Sequence, residues 1–267
     1  MISVETFQTI GQASGAMNGN AAYLGGGTLL MRSLNYGEQN FEKIVRSTDL
    51  ALKTISDSGD RMIIGAGVTM AQVIATSNLA FLAPVARSIG GPAIRNMATV
   101  GGNLFAQHPY GDFTVALLAL DGVVKMDNGS EHNLEQFLSS RDTIQGIVSS
   151  VSILRPNNRD FKYNKVSRVK PKGISVMSIA VWLPMSVGRP SNVRIAFGAM
   201  GTTPLRAKSA EKALEGASID VQGILPALEA LTQDFNPPDD AIASSWYRTQ
   251  VAPVHLKRLL LEEGGAR

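Results

Sequence analysis

Gly90-Gly91-Pro92-Ala93-Ile94-Arg95-Asn96-Met97-Ala98-Thr99-Val100-Gly101-Gly102-Asn103 is the stretch around which the rest of this 267-residue chain can be organised. Its four glycines leave much of the backbone without a Cβ, so another group can come close to it. Arg95, Asn96, Thr99 and Asn103 alternate with apolar residues and add a cation, side-chain amides and a hydroxyl. A loop that spends so much glycine has two readings. It is either a ligand cradle, or a structural loop in which Arg95 is a surface charge and Asn96 satisfies the backbone through an Asx turn.

Upstream, Tyr23-Leu24-Gly25-Gly26-Gly27-Thr28-Leu29-Leu30 repeats the theme. It joins a short apolar strand, residues 21–24, to a helix predicted over residues 29–34. Consecutive glycine amides beside a helix start form a nest suited to a pyrophosphate, and Thr28 adds a hydroxyl. The alternative is a tight strand-to-helix turn without a ligand. Gly65-Ala66-Gly67-Val68-Thr69-Met70 half-matches the dinucleotide fingerprint. Met70 stands where a small residue is required, and no acid follows about 20 residues on to hold a ribose. The segment reads as the end of a strand over residues 61–64 and the cap of a helix over residues 70–76, with Thr69 as N-cap.

Further strands are predicted over residues 41–45, 123–126, 147–154, 176–183 and 193–200. Helices are expected over residues 9–18, 81–89, 134–138, 207–214 and 221–231. Residues 90–103 are treated as loop. Residues 114–120 are an apolar run leading to the strand at 123. Asp127-Asn128-Gly129 makes a hairpin-type turn. Pro253 is expected to disturb the middle of the last helix. Residues 155–173 carry seven basic residues against the single acid Asp160 and read as a domain boundary. Asp112 opens a helix and either caps it or contacts a ligand; His108 reads as a polar loop residue.

Composition excludes several functions. There is no Cys, so no thiolate iron–sulfur cluster, Cys-based zinc site, disulfide or Cys nucleophile resides here. The three histidines, His108, His132 and His255, lack ligand spacing, so no metal site is expected. A net charge of +3 without a basic, aromatic-interleaved stripe argues against nucleic acid. No apolar run approaches a membrane span, and the N-terminal residues lack a basic start and apolar signal core, which predicts a cytoplasmic protein.

Together these stretches resemble the FAD-binding, or medium, subunit of the xanthine dehydrogenase and carbon monoxide dehydrogenase family of molybdenum hydroxylases. Residues 24–30 are similar to that family's Ala-Gly-Gly-Thr-Asp-Leu loop, with Gly25 for the Ala and Leu29 for the Asp. Residues 94–104 match its second loop almost completely. Pro109-Tyr110-Gly111-Asp112 is similar to Ser-Pro-x-x-Asp, and Tyr163-Asn164-Lys165-Val166-Ser167-Arg168 to Tyr-x-Lys-x-x-Arg. Weaker likenesses follow in order at residues 196–200, 204–207, 213–216, 238–240 and 244–248. One departure is Lys172-Gly173-Ile174-Ser175, where the family often has an Asp.

The resemblance implies an α+β chain. Residues 1–155 would form a PCMH-type, vanillyl-alcohol-oxidase-like FAD-binding fold of two α/β subdomains, about 1–55 and 56–155. Residues 160–267 would form a C-terminal domain with a small antiparallel sheet packed on helices. It further implies that Leu24, Gly25, Gly26, Gly27, Thr28, Leu29, Leu30, Ile94, Thr99, Val100, Gly101, Gly102 and Asn103 cradle FAD. Asp112 would make polar contacts to it, Ile147 or a neighbour would offer backbone to the flavin ring, and Tyr163 and Lys165 would lie near the ring. No residue of this chain is assigned a catalytic role, since redox work falls to the cofactor. Partners would be a small subunit with two-iron two-sulfur clusters and a large molybdopterin subunit, in a dimer of heterotrimers. The competing readings are a free-standing FAD-dependent reductase of the same superfamily, a scaffold subunit that has lost FAD, and a nicotinamide-binding Rossmann dehydrogenase.

Overall fold

The computed structural model describes residues 2–38, 41–157, 159–169 and 173–262. Packing divides them into two compact units: residues up to Ala106 with Asp121–Leu154, and Gln107–Leu120 with the residues from Arg155 onward.

The first unit opens with β1 (Ser3–Phe7), α1 (Ile10–Gly15), β2 (Ala21–Tyr23), α2 (Leu30–Asn35) and β3 (Lys43–Ser47). β3 lies between β1 and β2 and is parallel to both. Parallel neighbours need crossovers, which α1 and α2 supply. Thr9 starts α1 through a capping box with Gln12. Ala13, Val45 and Ile147 form the small core beneath, with Tyr23 packed against it. β1 was not anticipated: its exposed Val4 and its Ser3, Glu5 and Thr6 give no apolar face to detect.

The unit continues with β4 (Ile55–Ser58), β5 (Arg61–Gly65), α3 (Met70–Ala75), α4 (Ala83–Arg87), α5 (Pro92–Met97) and α6 (Val100–Leu104). After α7 (Asp112–Ala119), which packs in the second unit, come β6 (Val123–Met126), β7 (Glu131–Asn133), α8 (Leu134–Ser140) and β8 (Val148–Leu154). The five strands form an antiparallel sheet in the order β4-β5-β8-β6-β7. The β6–β7 hairpin turns at the anticipated Asp127-Asn128-Gly129, where Gly129 has φ 87° and Asn128 Oδ1 accepts the Ser130 amide. Two local expectations are corrected. Residues 90–103 are not loop but two short helices, α5 and α6. The helix expected over 81–89 is a 3-10 turn, Ser77–Leu82, running into the shorter α4 with Pro84 in its first turn.

In the second unit, β9 (Phe161–Ser167), β10 (Ser175–Trp182), the small hairpin β11 (Met185–Ser186) and β12 (Arg189–Pro190), β13 (Arg194–Gly198) and β14 (Leu205–Arg206) precede α9 (Lys208–Leu214), α10 (Leu225–Ala230) and α11 (Ser245–Leu260). The main sheet is antiparallel, in the order β14-β13-β10-β9. β10 is buried on both faces, which is why its sequence is apolar without alternation. Ile179, Val181, Ile195 and Phe197 share a core with Leu214, Leu256 and Leu260 of the helices. Every residue of α7 is buried as well, matching its lack of a polar face. Further corrections concern the basic segment and the last helix. The expected break at 155–173 contains β9, whose lysines hid a half-buried strand; Lys170, Pro171 and Lys172 lie outside the described residues. α11 runs unbroken through Pro253.

Candidate functional site

The glycine loop after β2 begins where ladder pairing ends. The Leu24 amide donates to the Val45 carbonyl at 2.7 Å, the last such bond of the strand. Among the described residues, no group accepts a hydrogen bond from the amides of Gly25, Gly26, Gly27 or Thr28. Protein backbone donors are rarely left unused in series, and these are not deeply buried. They form a ready row of donors for an anion.

The second stretch lies directly against this row. A Cβ on Gly26 would fall 1.8 Å from the Met97 carbonyl oxygen, and one on Gly25 would fall 3.1 Å from Thr99 Oγ1. Only glycine at 26 permits the approach. Thr99 caps α6, its Oγ1 accepting the Gly102 amide at 3.0 Å. The Val100 and Gly101 amides donate to Val68 and Ala66 carbonyls at 2.9 and 2.8 Å. The half-matching Gly65–Gly67 turn is therefore the seat of α6 and holds no ligand fingerprint. The two stretches therefore differ in what they offer. The amides of Val100, Gly101 and Gly102 are already engaged within the chain; those of residues 25–28 are available. Thr99, Val100 and Gly101 are buried, whereas Gly102 is exposed and Asn103 partly so. Arg95, which the sequence left between surface charge and ligand contact, donates to the Gly90 carbonyl and so fastens α5 to the turn before it.

The other predicted residues are placed as follows. Leu24, Leu29 and Leu30 are half-buried around the first loop, and Ile94 is 42% exposed on α5. Ile147 is a core residue, and its backbone is engaged: its amide donates to Asp127 Oδ1 and its carbonyl accepts the Asp127 amide, both at 2.8 Å. The Ile147 amide and carbonyl thus have partners within the chain, whereas the neighbours Gln145 and Gly146 lack that double tie.

In the second unit, Asp112 and Lys165 are brought together from α7 and β9. Lys165 Nζ lies 2.8 Å from Asp112 Oδ2, with side chains about 11% and 10% exposed. The Ser175 hydroxyl donates to Asp112 Oδ1 at 2.7 Å. Asp112 therefore does not cap α7 with its side chain; the N-cap is Gly111. Tyr163, two residues before Lys165 on β9, shares its face of the sheet and is half-buried. Ser175 occupies the region where the sequence lacks an acid.

Two polar centres escaped the sequence reading. Arg248 is fully buried and uses all of its guanidinium N–H groups: Nε to the Val176 carbonyl, Nη1 to the carbonyls of Pro238 and Ala243, and Nη2 to both oxygens of Asp240. His108 Nε2 lies 2.6 Å from Asp240 Oδ2. Burial acts to raise the Asp240 carboxyl, but bonds from His108, Ala243, Arg248 and Ile242 outweigh it and hold the group below the usual carboxylate range. The second centre is Arg141, 6% exposed, whose guanidinium reaches the Leu104 and Ala106 carbonyls at the end of α6. The stretches 238–240 and 244–248 were noted only as weak likenesses, without a role for Asp240 or Arg248, and Arg141 went unmarked because its partners lie 35 and 37 positions away.

Among the described residues, no three His, Asp or Glu side chains are placed to hold a metal ion, and no helix is long and apolar enough to cross a membrane.

Two family descriptions together cover nearly the whole chain. The family description "FAD binding domain in molybdopterin dehydrogenase" fits residues 2–154, and "CO dehydrogenase flavoprotein C-terminal domain" fits residues 162–263. The chain is 27% identical over 267 residues to the xanthine dehydrogenase FAD-binding subunit of Escherichia coli O157:H7, covering 92% of this chain and 90% of that one. It is 26% identical over 188 residues to the glyceraldehyde dehydrogenase medium chain of Sulfolobus acidocaldarius, covering 68% of this chain and 66% of that one. A carbon monoxide dehydrogenase structure from Hydrogenophaga pseudoflava superposes with a TM-score of 0.88 at 23% identity, covering 97% and 96% of the two chains, and shows the same α+β fold.

Proposed function

This chain belongs to the family of FAD-binding subunits of molybdopterin dehydrogenases, and from that premise we propose that it is the electron-relay subunit of a multi-subunit molybdenum hydroxylase. The observation that carries this reading is the row of unengaged amides at Gly25, Gly26, Gly27 and Thr28, pressed against Thr99. Its donor chemistry fits the diphosphate of FAD. When bound, FAD supplies the redox step: it accepts electrons singly and releases them in pairs.

The residues of this chain bind and orient. The amides of residues 25–28 take the diphosphate oxygens, and Gly102 and Asn103 close that cradle from α6. Leu24, Leu29, Leu30 and Ile94 furnish apolar walls. Within the second unit, Asp112, Tyr163 and Lys165 are the residues that the family resemblance assigns to FAD, and the Asp112–Lys165 pair holds a carboxylate and an ammonium in fixed positions. No side chain is required as acid or base.

A small iron–sulfur subunit delivers electrons and a large molybdopterin subunit oxidises substrate, in a cytoplasmic dimer of heterotrimers. The acceptor is NAD, oxygen or another carrier. The absence of Cys supports this division of labour, because this chain cannot hold such clusters by thiolates. Residues 1–155 and 160–267 are the proposed domains.

The test is reconstitution. The purified chain titrated with FAD should quench flavin fluorescence at one equivalent and shift the absorbance. Failure to bind would leave a scaffold subunit. Flavin binding without capture of an iron–sulfur partner on co-expression would favour a free-standing reductase.

A further inference from the structure

We infer that Arg141 is a positioning residue for the α6 side of the FAD cradle, an inference that rests on the function proposed above. α6 is five residues long and carries Gly101 and Gly102 within it. Glycine is among the poorest helix formers, and so short a helix does not persist by its own hydrogen bonds. Its beginning is fixed by the Thr99 cap and by the ties to Val68 and Ala66. At its end a distant guanidinium takes the free carbonyls. Arg141 Nη1 donates to the carbonyls of Leu104 at 2.7 Å and Ala106 at 3.1 Å, taking up acceptors that a helix C-terminus leaves bare.

Arg141 is also the C-cap of α8, so its cation sits at the C-terminal ends of two helices, where positive charge is favoured. Phe137, one helical turn before it, meets Phe105 edge-on with ring centroids 5.5 Å apart. Phe105 lies between the two carbonyls that Arg141 holds. One face of α8 thus grips the end of α6 by a ring and a guanidinium. Among the described residues, no carboxylate forms an ion pair with Arg141. Burial pushes its guanidinium below the ordinary value, with the neighbouring Asp142 pulling the other way. A buried cation is costly, and an apolar residue would fill the same space. What an apolar residue cannot do is hold the last carbonyls of α6, and with them the placing of Thr99, Gly102 and Asn103.

The experiment compares wild type, Arg141→Met and Arg141→Lys by hydrogen exchange of the FAD-free chain and by FAD titration. Arg141→Met should raise exchange about tenfold in residues 100–106 above any chain-wide rise. It should also weaken FAD binding about tenfold, the loss of one charge-assisted bond. Arg141→Lys, which keeps the charge and one donor, should recover part of both; it also serves if the Met variant does not fold. If wild type binds FAD and both variants bind it equally tightly, Arg141 has no positioning role. Exchange that rises uniformly over the chain also overturns the inference, since it reports general destabilisation. A wild-type chain that binds no FAD refutes the proposed function, and the cradle falls with it.

Discussion

Replacing Gly26 by alanine would set a methyl carbon 1.8 Å from the Met97 carbonyl oxygen and 2.7 Å from its carbon. Ordinary contact between such atoms is about 3.5 Å or more. The obstacle is backbone, so no rotamer change relieves it. Either the 25–28 loop or the end of α5 must retreat by more than an ångström, and in both cases the donor row loses its place against Thr99. Overpacking of this kind costs about 1–3 kcal/mol, and the backbone clash puts Gly26→Ala at the upper end. If the strain is relieved by separating the loops, FAD binding must restore the closed arrangement and bears that cost. At about 1.4 kcal/mol per factor of ten, 3 kcal/mol weakens binding about 150-fold. The assay is fluorescence titration with FAD, alongside a thermal melt of the FAD-free protein. Gly91→Ala is the control, because a Cβ there meets nothing within 4 Å. Gly26→Ala binding FAD as tightly as Gly91→Ala, with an unchanged melt, would refute the claim that contact between these two stretches shapes the site.

Other outcomes follow from the second unit. Asp112→Asn removes the counter-charge of Lys165 where both side chains are nearly buried; it should lower stability by about 3–5 kcal/mol in urea unfolding, and Lys165→Met added to it should restore part of the loss. Arg248→Lys cannot reproduce bonds to three carbonyls and both Asp240 oxygens, and should cost at least about 3 kcal/mol by the same measurement. The Asp240 carboxyl is depressed in the folded chain below its ordinary 3.8. Its stabilisation is therefore complete above that value and is lost as the pH falls through and below it. Melting temperatures followed from pH 7 to pH 3 should drop more steeply for wild type than for Asp240→Asn; parallel curves would remove Asp240 from the account.

Much of this was legible in the sequence because it was local. The nest at residues 25–28, the Thr69 cap, the hairpin at 127–129 and the apolar β10 each announce themselves within a few residues. The second glycine stretch was recognised but misjudged in form. Its glycines suggested open loop, whereas α6 exists because Val68 and Ala66, some 30 residues upstream, accept its first amides. β9 was missed for a related reason: the basic run around Lys162 and Lys165 read as a domain boundary, yet Lys165 is neutralised by Asp112, 53 positions earlier. Ile147 shows the same effect: its amide is held by Asp127, 20 positions earlier, which no local pattern announces. Long-range polar pairing was the common blind spot.

The placing of α7 has an implication for how the chain can be divided. The polypeptide passes between the units three times, at residues 106–107, 120–121 and 154–155. A fragment stopped at residue 154 would keep a fully buried, largely apolar helix stripped of the sheet that shelters it, with the Asp112 carboxylate bereft of its ammonium. Such a truncate should self-associate, while the downstream piece would lack a slab of its interior. Neither half is a free cassette, and gene splitting or domain grafting at the seam apparent in the sequence should fail for want of eight residues.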